Sequence, residues 1–331
     1  MAITLLSKTS LNLGFNKSQG LRGPRNGYVM GSITPISTSV QKMDMLSETW
    51  GTIAATITVA QHAGAISNSG VAGYILGGFD LSGVPQTLIQ KITTPQDTKS
   101  NISSTLAAGK FQQQQMVRGN IAGYTPGGAN QGYSTRYRTT DKLLYSTEIA
   151  STLGVTMAGG GNAGTGLTNG VTAGYHMGGY VDALGGDHTI NDKFAYSSET
   201  FSTLAAALPN GQREGPPASN EGVAGYLVGK FDFGLAGGTY ALSRNSFKVS
   251  FTTDAVSTLT NTLATGGYDA SAFTDRGICT YLPGMYYEGG YLARETLKFS
   301  FSSETASILT TCLMESPQRG WNNGWADCGV Y

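Results

Sequence analysis

Charge is scarce in this chain. Asp, Glu, Lys and Arg make up 13% of 331 residues, and 21 basic residues balance 21 acidic ones. Without a net field to gather phosphate backbones or anionic lipid, nucleic acid and membrane surfaces are excluded as expected main partners. Cysteine is scarce too. Cys279, Cys312 and Cys328 form no C-x-x-C pair and leave one odd thiol, so they read as free structural cysteines and not as a disulfide framework. No apolar run approaches the length of a spanning helix, and Met1–Lys8 lacks a basic stretch before a sustained apolar one. Neither a secretion signal nor membrane insertion is expected. The three histidines, His62, His176 and His188, show no H-x-H or H-E-x-x-H spacing, so no metal is expected.

What the chain has in excess is glycine, 47 residues, beside 40% hydrophobic and 10% aromatic content. That combination describes a folded protein with many tight turns and close backbone approaches. Self-comparison then exposes a repeat. Gly27-Tyr28, Gly73-Tyr74, Gly123-Tyr124, Gly174-Tyr175 and Gly225-Tyr226 each open a phrase closed by one or two glycines, and weaker copies sit at Tyr281 and Trp325. These aromatic positions are 44 to 55 residues apart, which makes seven units of about 47 residues.

A second phrase lies between them, with a Lys, an acid six positions later and an aliphatic residue eleven positions after the Lys. It reads Lys42…Glu48…Ile53, Lys91…Asp97…Ile102, Lys142…Glu148…Leu153, Lys193…Glu199…Leu204, Lys248…Asp254…Leu259 and Lys298…Glu304…Leu309. Around each Lys, apolar and polar residues alternate, as in Phe247-Lys-Val249-Ser-Phe251, which marks a strand. Ser-Ser-Glu-Thr clusters follow and supply a turn. The apolar spacing that helical repeats need is absent, leaving short strands joined by loops of varying length.

The chain ends suggest closure. Counting from Trp325 through Tyr331 and on from Met1 to Lys8 gives fourteen steps, equal to the distance from Tyr28 to Lys42. The sequence therefore predicts an all-β, seven-bladed β-propeller over 1–331, a single domain whose last blade is completed by N- and C-terminal strands together, Ile3–Leu11 supplying the N-terminal part.

In this order of motifs the repeat resembles the kelch type. Phe194-Ala-Tyr196-Ser-Ser-Glu199-Thr200…Leu204…Arg213…Gly225-Tyr226 follows the kelch arrangement, with Leu204 where kelch units carry Trp. The wording also resembles kelch-like repeats in virion proteins of tailed bacteriophages, notably those of cyanobacteria. That resemblance implies a non-enzymatic structural or attachment component, a tail-associated or decoration subunit made in the bacterial host cytoplasm and resident in the virion. Its implied partners are other virion proteins and a host surface glycan or protein, contacted through propeller loops within a symmetric assembly. The alternatives are a carbohydrate-active or oxidising propeller enzyme, and a cellular kelch-type interaction scaffold.

Residues present in every unit serve what every unit needs. The six Lys and six acids, Lys193 and Glu199 among them, are expected either to pair within or between blades or to form a solvated strand edge. Binding is expected where repetition breaks. Gln112–Gln115 reads as a polar solvated loop. The Gly-rich stretch 159–165 has no Lys after its last glycine and reads as an inter-strand loop, not a phosphate cradle. Tyr133, Arg136, Tyr137 and Arg138 alternate aromatic and guanidinium groups, a composition found at protein contacts and sugar-stacking surfaces. Tyr286, Tyr287 and Tyr291 crowd around glycines, with one expected to pack and two to be exposed. No catalytic residue, cofactor or metal ligand is assigned.

Overall fold

A computed structural model describes residues 25–33, 36–58, 62–159, 161–181, 186–233, 240–260, 262–287, 291–316 and 324–327. Among the described residues its strands form six four- or five-stranded antiparallel sheets, the blades of a β-propeller, and three smaller sheets of two or three strands. Blade 2 shows the plan, with strands Gly64–Asn68, Ala72–Leu76, Ile89–Thr93 and Thr98–Asn101 side by side in chain order. Burial falls from the first strand, almost wholly buried, to the fourth, which is largely exposed. The first strands therefore line the axis and the fourth lie at the rim. Blades 3 to 6 have first strands Met116–Arg118, Thr165–Thr168, Pro217–Asn220 and Phe273–Asp275, and each touches the first strand of the blade beside it.

Blade 1 closes the ring. Asn26–Ile33, Ile36–Asp44 and Thr49–Thr56 supply its outer three strands, and Gly324–Ala326 from the other end of the chain supplies the innermost. Trp325 stands opposite Tyr28 with their rings stacked at 4.1 Å, and Asp327 accepts from the main-chain and side-chain nitrogens of Asn26. The count is thus six blades and not seven. Trp325 is not a seventh copy of the tyrosine column; it stands across from Tyr28 as Ile66 stands across from Tyr74. The expected contribution of Ile3–Leu11 lies outside the described residues, as does Cys328. Cys279 and Cys312 are buried free thiols, and burial pushes the Cys279 thiol up to about 12.

The Gly-Tyr phrase occupies the second strand of blades 1 to 5, with Thr280-Tyr281 in its place in blade 6, and its glycine is required by the neighbouring blade. A Cβ at Gly73 would lie 2.0 Å from the Trp325 indole, and one at Gly27 would lie 2.1 Å from the Phe273 ring. The tyrosine faces the other neighbour, where Tyr74 stacks on Tyr145 and Tyr124 on Tyr196.

The Lys and acid of the second phrase pair between blades. Lys42 meets Asp97, Lys91 meets Glu148, Lys142 meets Glu199, Lys193 meets Asp254, Lys248 meets Glu304, and Lys298 closes the circuit on Glu48, with N···O distances of 2.5 to 2.7 Å. Each acid also accepts from the tyrosine hydroxyl of the preceding blade, from Tyr28 onto Asp97 round to Tyr281 onto Glu48. All six acids sit at φ 53 to 56°, the left-handed turn position that usually takes glycine. The turn tolerates the Cβ because the carboxylate is held from the preceding blade. Burial pushes the Glu199 carboxyl up, but the Lys142 and Tyr124 hydrogen bonds outweigh it and leave it below the usual carboxylate range.

Candidate ligand-recognition mouth

Antiparallel alternation puts the loops that enter each first strand on the same face as the loops joining second to third strands. At the axis on this face stand His62, Gln112, Ala163, Glu214 and Asp269, each twelve residues before its blade's tyrosine and each at φ 50 to 63°. The amide of each donates to the carbonyl of the one before, Gln112 to His62 at 2.7 Å, Ala163 to Gln112 at 3.3 Å, Glu214 to Ala163 at 2.8 Å and Asp269 to Glu214 at 3.1 Å. This lacing narrows the channel mouth to a rim of main chain. It also fixes five side chains of different chemistry around one axis, and the corresponding position of blade 1 lies outside the described residues.

Polar and aromatic groups from blades 3 and 4 and from the loop that enters blade 5 gather beside that rim. Arg136 Nε donates to Asn162 Oδ1 at 2.9 Å, Asn162 Nδ2 donates to Gln112 Oε1, and Gln112 Nε2 donates to the Tyr133 hydroxyl at 3.2 Å. The Arg136 guanidinium lies 4.5 Å from the Tyr180 ring centre and 5.4 Å from that of Tyr133. Arg213 lies 5.4 Å from the same Tyr180 ring and reaches toward Asp187 at 3.6 Å and Glu214 at 3.4 Å. Tyr180 is therefore shared by two cations, each contact worth about 0.5–1 kcal/mol where water reaches it. Tyr133 is 41% exposed, which leaves aromatic surface open at the mouth.

The sequence candidates separate into two groups. Tyr133 and Arg136 join the mouth. Tyr137 and Arg138 instead hold the loop: Tyr137 lies under the ammonium of Lys110, whose ion pair with Asp141 is buried at 2.8 Å, and Arg138 donates to the Met157 and Ala158 carbonyls. Tyr286, Tyr287 and Tyr291 belong instead to a small three-stranded sheet with Gly267–Tyr268, which runs into Asp269 of the rim. Tyr287 is buried, Tyr286 is half-buried against Tyr268, and Tyr291 opposes Tyr287 in register.

Gln112–Gln115 corrects the sequence reading. All four glutamines are buried, because the tract is the split first strand of blade 3 and runs along the axis. Gln112 figures in the sequence only as part of a tract that reads as a solvated loop, and Asn162, Tyr180, Arg213 and Glu214 carry no local binding signal there. The signal that exposes two of them is the column twelve residues before each tyrosine, which holds Gln112 and Glu214.

A second polar group lies inside blade 4. His176 is fully buried with neither ring nitrogen hydrogen-bonded, and His188 packs with its ring 6.2 Å away. Burial pulls both imidazoles down to about 4, so both are neutral near pH 7. Among the described residues no group of three or more His, Cys, Asp or Glu side chains is placed to hold a metal ion.

No family model and no curated protein sequence matches this chain. Its fold is similar to a solved structure described as "Structure of YjhT", with a TM-score of 0.72 and 13% sequence identity over 88% of this chain and 95% of that one. At that identity the likeness carries the fold alone.

Proposed function

We propose that this propeller is a non-enzymatic, kelch-like binding subunit of a bacteriophage virion, tail-associated or decorating, which recognises another virion protein or a host surface ligand through the mouth built by blades 3 to 5. The observation that carries the reading is Tyr180 held between Arg136 and Arg213, with Tyr133 open beside it. Guanidinium and tyrosine groups fixed on a closed ring are preorganised, so little side-chain entropy is lost when a partner docks. The continuous belt of ion pairs suits a part that must keep its shape in an assembly.

Two measurements test this. Mass spectrometry of purified phage particles should find the chain as a stoichiometric component, and its absence from the particles rejects the virion role. Surface-binding assays on host envelopes and glycan panels should show binding that falls at least tenfold, about 1.4 kcal/mol, in Arg136→Ala combined with Arg213→Ala. Binding that is unaffected moves the site elsewhere.

One observation favours a second reading, a carbohydrate-active enzyme. Glu214 and Asp269 stand at the rim with His62, beside Asp187, Arg136 and Arg213, so acids and bases share one mouth. Turnover of an oligosaccharide that Glu214→Gln abolishes without unfolding would establish that reading over the first.

A further inference from the structure

The turns that join first to second strands lie on the face opposite the mouth. In blades 2 to 6 each carries an exposed branched aliphatic residue, Val71, Ile121, Val171, Val223 and Ile278, between 42% and 65% exposed. Antiparallel alternation brings the turns between third and fourth strands onto the same face, farther from the axis, where Leu46 and Ile149 are 63% and 59% exposed. Among the described residues, seven of the twelve exposed large apolar side chains therefore share this face. Turns favour Gly, Asn, Asp and Ser, so no local requirement selects Val or Ile at these places.

The inner turns follow one another around the axis. The Gly70 amide donates to the Asp327 carbonyl at 2.7 Å, a Cβ at Gly119 would lie 3.7 Å from the Gly170 carbonyl oxygen, one at Gly170 would lie 2.7 Å from Glu221, and Arg276 pairs with Glu221. In blade 1, Arg25 stands three residues before Tyr28, as Val71 stands before Tyr74, and pairs with Asp275 at 2.7 Å. The aliphatic residues thus form a ring that is broken at blade 1. Charges beside the ring are paired within the chain: Arg25 with Asp275, Arg276 with Glu221, and each belt lysine with its acid. Arg118 donates to the Tyr196 carbonyl at 3.1 Å.

Three features fit this face to a second copy of the chain. An oppositely charged partner finds little here to pair with, whereas another copy meets no like-charge repulsion. A ring that repeats from blade to blade is self-complementary: turned over about a twofold axis lying in the face, it sets aliphatic turns on aliphatic turns. The area is also sufficient. The seven side chains expose on the order of 400 Å², so two copies cover about 800 Å² of apolar surface. At an apolar share of about 60%, that corresponds to an interface of roughly 1,300 Å², within the range of specific complexes.

We propose that the protein is a face-to-face dimer joined through these aliphatic turns, with its two mouths directed outward from opposite ends. Such a dimer bridges two ligands instead of gripping one twice. The inference holds whatever the mouth binds.

Sedimentation velocity of the full chain over about 0.1–100 µM tests it. Twice the chain mass is expected, and Val171→Glu combined with Val223→Glu should raise the dissociation constant about a hundredfold while circular dichroism and the urea midpoint stay unchanged. Arg136→Ala combined with Arg213→Ala should leave the dimer intact. A benzophenone amino acid at position 223, in a mixture of isotopically light and heavy chains, should cross-link to a first-to-second-strand turn of the other copy. A monomer at every concentration overturns the proposal, whether the face is then bare or takes a different protein. A dimer that survives the double glutamate variant overturns it too, as does a cross-link confined to one chain or reaching the mouth face.

Discussion

Replacing Glu199 isolates what holds one blade to the next. The carboxylate accepts from Lys142 Nζ at 2.6 Å and from the Tyr124 hydroxyl at 3.0 Å, at a site about one-quarter exposed, while its own backbone stands at φ 53°. The ion pair at such exposure is worth about 0.5–1 kcal/mol, and the charged hydrogen bond from the tyrosine about 1.5 kcal/mol. Glu199→Ala loses both and keeps a Cβ in the left-handed turn, for a destabilisation of about 2 kcal/mol. Glu199→Gly loses the same partners but relieves the turn by about 1 kcal/mol, so it should be the milder change. Glu199→Gln keeps an acceptor for Tyr124 and should lie near the glycine variant. Urea unfolding followed by tyrosine fluorescence and far-UV circular dichroism reads the order, and a double-mutant cycle with Lys142→Met should return a coupling of about 0.5–1 kcal/mol. If the glycine variant unfolds before the alanine one, or the cycle returns no coupling, the belt does not hold the blades and the reasoning fails.

Gly166→Ala should destabilise by about 3 kcal/mol, because its Cβ would lie 2.3 Å from the Gln115 carbonyl oxygen and neither strand can retreat; Gly51→Ala, which meets nothing within 4 Å, should move the urea midpoint negligibly. Trp325→Ala removes the stack that seats the closing strand and should cost about 3–5 kcal/mol, read from the same denaturation curves. Because His176 and His188 fall to about 4 when folded and return to about 6.5 when unfolded, the unfolded chain takes up the extra protons. Stability should therefore be full above pH 6.5 and decline as pH drops toward 4, by as much as about 3 kcal/mol per imidazole. His188→Gln should flatten that decline, and a profile identical to wild type would show that the pair is solvated. The lowered carboxyls of Glu148, Glu199 and Glu304 act in a separate window, stabilising above about pH 4.5 and releasing the belt as pH falls below it.

Repetition made the strand plan legible. The tyrosine and Lys-acid columns mark second and third strands in all six blades, but recurrence leaves open whether the Lys and acid pair or form a solvated strand edge, and the structure decides for pairing. Pairing within a blade and pairing between blades are both open from the sequence; Lys193 reaches Asp254 and leaves Glu199 to Lys142. A strand and its hairpin partner share one blade, whereas the side chains above the sheet touch the next blade, and only the ring supplies that neighbour.

Sequence by itself determined the all-β repeat and the glycines it demands, because alternation and close approach are local conditions written in every unit. The tertiary structure decided the number of blades, the burial of Gln112–Gln115 and the gathering of Arg136, Asn162, Tyr180 and Arg213 at one mouth. Each of these depends on which loops meet at the axis, and that is set by ring closure between residues some three hundred positions apart, a condition no local pattern encodes.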